Sequence, residues 1–182
     1  MGRSVQHRRR QRDAILRIFQ VETDEHRNQV SELFWEYLQW ANAMVAQEFG
    51  VSFDIEAMLV ADMAQLDKFS PPAGRLLLAE WQDRMAGIAG LRGLDSGTAE
   101  VKRMYVRPMA RRQGVGQALL QGLIAEARLM GYRRVRLDSA RFMSAAHALY
   151  RSAGFREINP YPGSEIPEAS QSNWIFMELL LT

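Results

Sequence analysis

The sequence contains no cysteine, which at once excludes disulfides, thiolate metal sites and a cysteine nucleophile. Histidine is scarce as well. His7, His26 and His147 are too scattered along the chain to suggest a metal site. No apolar run approaches the roughly 20 residues that a membrane-spanning helix needs. The basic start MGRSVQHRRRQRD is followed by AILRIFQVETDE, which meets charge too soon to be the apolar middle of a signal peptide. The expectation is a protein of the reducing cytoplasm, without membrane partners or metal.

What is present suffices for one core. The chain has 182 residues, 47% hydrophobic and 24% charged, which suits a single α/β domain over residues 14–182. The net charge of +2 raises the question of nucleic acid, and the location of the charge answers it. Residues 1–13 carry five arginines against one aspartate, a local +4, which leaves 18 basic and 20 acidic side chains, or −2, for the body. The basic arm has few apolar residues and reads as a disordered tail rather than a nucleic-acid reader.

Residues 14–22 have the branched and aromatic content of a strand covered on both faces. Thr23 and Asp24 offer N-caps, and Val30, Leu33, Phe34, Tyr37, Leu38, Ala41, Met44 and Val45 recur at helical spacing until Gly50. Asp54 caps a second helix, with Phe53 and Met58 placed as a hydrophobic staple and Ile55, Met58, Leu59 and Leu66 as its apolar stripe. That helix must stop before Pro71 and Pro72. RLLLAEW, RMAGIAGLRGL and TAEVKRMYV then form an antiparallel meander with turns at Gln82-Asp83 and Asp95-Ser96-Gly97. In the last strand Glu100, Lys102, Met104 and Val106 would share one face, a mixture of charge and core that calls for a bulge. A helix opens at Val115 and buries Leu119, Leu120, Leu123, Ile124, Ala127 and Met130, ending at Gly131. RRVRLDSA is a strand, Ser144 caps the helix AAHALYRSAG, and Phe155 begins another strand. Residues 160–167 form a loop, and NWIFMELLL closes the sheet. The predicted order is βααβββαβαββ, a mixed α/β fold.

The chemistry concentrates between Glu100 and Gly116. RRQGVG turns from strand into helix, so its N–H groups gather at the positive end of a helix dipole, where phosphate binds. It is neither the GxGxxG fingerprint nor a P-loop, and glycines at such a turn also relieve strain with nothing bound. Arg107, Arg111 and Arg112 cluster beside it and suit phosphate. Asp138, Ser139 and His147 do not suggest a hydrolase triad, because no nucleophile elbow of the GxSxG kind is present.

RMYVRPMARRQGVGQALL resembles the acetyl-CoA-binding segment of the GNAT superfamily of N-acetyltransferases, whose pattern is Gln or Arg, two residues, Gly, any residue, then Gly or Ala. Here those positions are Arg111, Gly114 and Gly116. ALYRSAGF, Ala148 to Phe155, is similar to that family's later helix and the turn beyond it, and LDSA stands where many relatives have LDT. The resemblance implies a central, mostly antiparallel twisted sheet flanked by helices, and transfer of acetyl from acetyl-CoA to a primary amine, of a small molecule or a protein, by direct attack in a ternary complex.

Residue by residue, the resemblance assigns acetyl-CoA binding to Met104, Tyr105, Val106, Arg111, Arg112, Gln113, Gly114, Val115 and Gly116. Backbone N–H groups of Gln113 to Gly116 would hold the pyrophosphate, and the backbone at Met104 and Val106 would pair with the pantetheine arm in a gap opened by the bulge. The N–H of Val106 would polarise the thioester carbonyl. Tyr150 matches the tyrosine that protonates the departing thiolate. Glu100 stands where some relatives carry a general base, which an amine of pKa near 10.4 requires. Pairing of Glu100 with Lys102 or Arg103 is an equal alternative. The acceptor is expected between the two early helices and the 160–167 loop, with Tyr161 a candidate wall residue. A module that senses acyl-CoA without turnover is the rival reading, and homodimers are common among relatives.

Overall fold

A computed structural model describes residues 15–181, so the basic arm of residues 1–13 lies outside the described residues. The elements are β1 (Leu16–Gln20), α1 (Asp24–Phe49), α2 (Ile55–Ala64), β2 (Arg75–Trp81), β3 (Arg84–Asp95), β4 (Thr98–Val106), α3 (Val115–Leu129), β5 (Arg134–Ala140), α4 (Ser144–Ser152), β6 (Arg156–Ile158) and β7 (Trp174–Leu180), in the order read from the sequence. Local chemistry explains most boundaries. Thr23 accepts the N–H of His26 at the start of α1, and Gly50 ends it in the left-handed conformation that only glycine adopts freely. Asp54 caps α2 through the N–H of Ala57. Ser144 departs from expectation: it is the first residue of α4 rather than its cap, which is Met143.

The seven strands lie in the order β1-β2-β3-β4-β5-β7-β6, antiparallel except for β4 and β5. β1 is an edge strand and only half buried, with Arg17 turned out to Glu80 at 3.0 Å. β7 does not sit at the far edge but inserts between β5 and β6. One sheet face is covered by α3, whose Leu119, Leu120, Leu123 and Ile124 pack on Leu77, Leu91, Val101 and Leu137. The other is covered by α1 and a 3-10 turn at Leu66–Phe69, which bring Val30, Leu33, Phe34 and Phe69 onto Leu76, Leu78 and Ile88. Each such large side chain taken from water contributes roughly 1.5–3 kcal/mol.

α2 is the exception to this scheme. Its one buried residue is Asp62, a charge in the middle of the predicted apolar stripe, while Met58 of that stripe stays 36% exposed. A charge therefore ties this helix to the sheet.

Candidate active site

The site begins with a mismatch in strand length. β4 pairs with β5 only from Thr98 to Glu100, opposite Arg134 to Arg136, while on its other edge β4 stays paired with β3 as far as Val106. Beyond Glu100 the two parallel strands part, and main chain on the β5 side of β4 is left open. The bulge is at this place. Ile88 faces Tyr105 and Gly90 faces Lys102, so β4 holds one residue more than β3, and Arg103 takes a φ of 55°. The extra residue resets the alternation. Val101 packs toward α3 before the bulge, and Met104 and Val106 pack on that same side after it, whereas Glu100 and Lys102 face the opposite way with Tyr105.

Further along, Gly114 adopts a φ of 81° as the N-cap of α3 and offers no side chain to its first turn. The first helical hydrogen bond runs from the N–H of Ala118 to the carbonyl of Gly114. The N–H groups of Val115, Gly116 and Gln117 therefore emerge uncapped at the positive end of a 15-residue helix. Arg111, Arg112, Gln113 and Gly114 are exposed around them, and a Cβ on Gly114 would meet nothing within 4 Å. This open, donor-rich cradle fits a diphosphate. Arg107 does not belong to it, because its guanidinium is spent on Glu36, at 2.8 Å, and on the carbonyl of Met85. Arg111 lies over Trp40 at 5.4 Å and donates to the carbonyl of Val106. Trp40 is thus packed toward β4, with its ring 6.5 Å from that of Tyr105.

Where β4 and β5 diverge, a cavity of about 360 Å³ opens between α1, the start of α2, the two strand ends and the 160–167 loop. Tyr150 of α4 reaches its wall, with its hydroxyl 3.8 Å from Met104 Sδ, and burial pushes its pKa well above the usual phenol value. Such a hydroxyl keeps its proton at neutral pH. The other end of the cavity is charged. Lys102 Nζ is 2.8 Å from Asp138 Oδ2, and Arg103 grips Asp62 through two hydrogen bonds of 2.7 and 2.6 Å. Ser164 also donates to Asp138 Oδ2, which leaves Oδ1 without a donor among the described residues. Glu165, on the loop, completes the wall.

Glu100 stands behind this wall rather than on it. It is 0% exposed, accepts from Arg92 Nε at 2.6 Å and from the Tyr161 hydroxyl at 2.8 Å, and lies 3.6 Å from Lys102. Glu100 is thus engaged as an ion-pair partner, chiefly of Arg92, which the sequence did not single out, and at longer range of Lys102. Burial raises its pKa, against the pull of Lys102 and Arg92. Tyr161 is likewise buried and does not line the cavity. His147 is buried with Nε2 3.1 Å from Ser139 Oγ. The sequence singled out neither Asp62 nor Glu165, and weighed Asp138 only as part of a hydrolase triad. The one available signal was a charge, Asp62, in a helix otherwise almost wholly apolar.

Among the described residues, no cluster of three or more histidines and carboxylates could hold a metal ion, and no helix is long and apolar enough to cross a membrane. A profile of the acetyltransferase (GNAT) family matches residues 27–155. The chain is 30% identical over 135 residues to an uncharacterized N-acetyltransferase of Schizosaccharomyces pombe, covering 73% of this chain and 80% of that one. It is 32% identical over 122 residues to the uncharacterized N-acetyltransferase YjgM of Escherichia coli, covering 63% and 72%. In fold it is similar to the PaiA N-acetyltransferase of Thermoplasma acidophilum, solved in complex with coenzyme A, with a TM-score of 0.70 at 18% identity over 92% of this chain and 99% of that one.

The chain belongs to the GNAT family. It is an acetyl-CoA-dependent acyltransferase.

Proposed function

We propose that this protein transfers acetyl to a primary amine by direct attack in a ternary complex, with the amine entering the cavity between α1, α2 and the 160–167 loop. Acetyl-CoA supplies the acetyl group as a thioester, so that a C–N bond forms as the C–S bond breaks and CoA leaves as a thiolate. The uncapped N–H groups of Val115 and Gly116, with Gln113, Gly114 and the flanking Arg111 and Arg112, hold the diphosphate. The open edge of β4 from Met104 to Val106 lies alongside the pantetheine arm. Tyr150 gives its hydroxyl proton to the leaving sulfur.

The proton of the attacking amine goes to Asp138 Oδ1. This assignment replaces Glu100, whose carboxylate is closed off by Arg92 and Tyr161. Glu100 instead positions Lys102 from behind. The observation that carries the reading is the meeting of three features at one gap: the uncapped α3 terminus, the parted β4 and β5, and the Tyr150 hydroxyl on the cavity wall.

The test is an amine panel incubated with acetyl-CoA, followed by thiol release and product mass. An acetylated amine together with an equivalent of free thiol is the expected result. Calorimetric binding of acetyl-CoA with no turnover on any amine would instead make the protein a sensor.

A further inference from the structure

Glu165 is held by an unusual number of cations for a loop residue. Its Oε1 lies 3.2 Å from Lys68 and 3.1 Å from Arg92, and its Oε2 lies 3.7 Å from both Lys102 and Arg103. Four cations converge on one place, and the three other anions that balance them are Asp62, Glu100 and Asp138. Those three belong to regular elements and have side chains at most 8% exposed. Glu165 is on an irregular loop and is 34% exposed. Its contacts to the two cavity cations, Lys102 and Arg103, are also longer than hydrogen bonds. The place suits a carboxylate, and the residue filling it is the least fixed of the set.

Resting on the acyltransferase reading above, we infer that the acceptor is an amino acid, whose carboxylate takes the position of Glu165 against Lys102 and Arg103 while its amine lies at Asp138. Glu165 is then a tethered stand-in that holds the cations until the acceptor arrives. The arrangement of charge agrees with this. Lys102 and Arg103 stand beside Asp138 on the same wall, so the cavity alternates in sign over the few ångströms that separate the two charges of a zwitterion. An amine without a carboxylate would bring a further positive charge beside Lys102 and Arg103 with no anion of its own to exchange for Glu165, and adding like charge in a partly buried site is costly. The cavity wall also carries Leu38, Val45, Phe53 and Met58, which suit an apolar side chain. Burial opposes it, yet Lys102, Arg103, Arg92 and Lys68 together pull the Glu165 pKa down to about 2, which shows how strongly this place favours a negative charge. The loop does not depend on Glu165 alone, since the Gly163 carbonyl is bonded to Arg92, Tyr161 to Glu100 and Ser164 to Asp138.

The experiment compares three probes with one side chain: phenylalanine, phenylalaninamide and phenethylamine, each with acetyl-CoA and the full chain, alongside a leucine and leucinamide pair and a panel of carboxylate-free diamines. The free acids should exceed their amides in kcat/KM by at least about tenfold, the effect of one charge-assisted pairing. Glu165→Gln should lower KM for the acids and leave the ratio of the two amines unchanged. Amides or diamines acetylated as well as the acids would overturn the inference while leaving acyl transfer intact. So would a Glu165→Gln variant in which KM rises for acids and amides alike, which would make Glu165 a binder of the ammonium group. Absence of any heat on titration with acetyl-CoA would overturn both readings together.

Discussion

Lys102 of β4 and Asp138 of β5 are joined at 2.8 Å across the opening where the two strands stop pairing. Main-chain bonds end one step earlier, at Glu100 and Arg136, so a side-chain ion pair bridges the lips of the gap just where it widens into the cavity. The pair is 5% and 8% exposed, and the Oδ1 of its acidic member has no donor among the described residues.

Asp138→Asn should therefore reduce kcat by about 100-fold or more, the range for losing a general base. Lys102 keeps Glu100 and Glu165 within 3.7 Å, so the fold should survive. A variant with wild-type kcat would remove Asp138 from the chemistry.

Glu100→Gln should be a stability mutation first. It strips a fully buried carboxylate from Arg92, and breaking such a pair costs about 3–5 kcal/mol. Thermal unfolding should show a clear fall in Tm. A stable Glu100→Gln protein with a selective loss of kcat would restore this residue as the base.

Tyr150→Phe removes one hydroxyl whose only hydrogen bond among the described residues is the weak one to Met104 Sδ. We expect kcat to drop by about 100-fold with acetyl-CoA affinity within a factor of two, because the loss falls on proton donation and not on the cradle. Stopped assays of thiol release and calorimetry together separate these quantities.

Gly87→Ala tests the seating of β4. An added Cβ would lie 2.7 Å from the carbonyl oxygen of Tyr105, on the strand that carries the bulge. Backbone cannot yield as a side chain can, so a loss of about 1–3 kcal/mol is expected in chemical denaturation.

Acid should loosen the loop side of the site. The Glu165 pKa of about 2 lies below its ordinary value of 4.5, so its stabilising contribution is complete above pH 4.5 and is lost as pH falls from there through 2. Wild-type protein should thus lose its Tm advantage over Glu165→Gln across that window. A constant difference down to pH 2 would contradict the ion-pair account.

Much of this was legible in the chain. The caps at Thr23, Asp54 and Gly50, the turn at Gln82-Asp83 and the apolar stripe of α3 are set by residues within a few positions of each other, and local sterics and hydrogen bonding decide them. The bulge could be read too, since alternating charge and core at Glu100, Lys102, Met104 and Val106 is impossible on one regular strand face. The RRQGVG turn carried its own meaning for the same reason.

The charged end of the cavity was not legible. Arg103 meets Asp62 across 41 residues, and Lys68 meets Glu165 across 97, so no window of sequence contains both partners. Nor did local pattern place β7 between β5 and β6, because an apolar strand is equally at home at either position until its neighbours are fixed. By itself the sequence determined the elements, their order and the glycine turn that opens α3, all of which follow from short-range geometry. Only the tertiary structure decided which carboxylate lines the cavity and which is sealed behind it, because burial and pairing of charge depend on side chains that folding alone brings together.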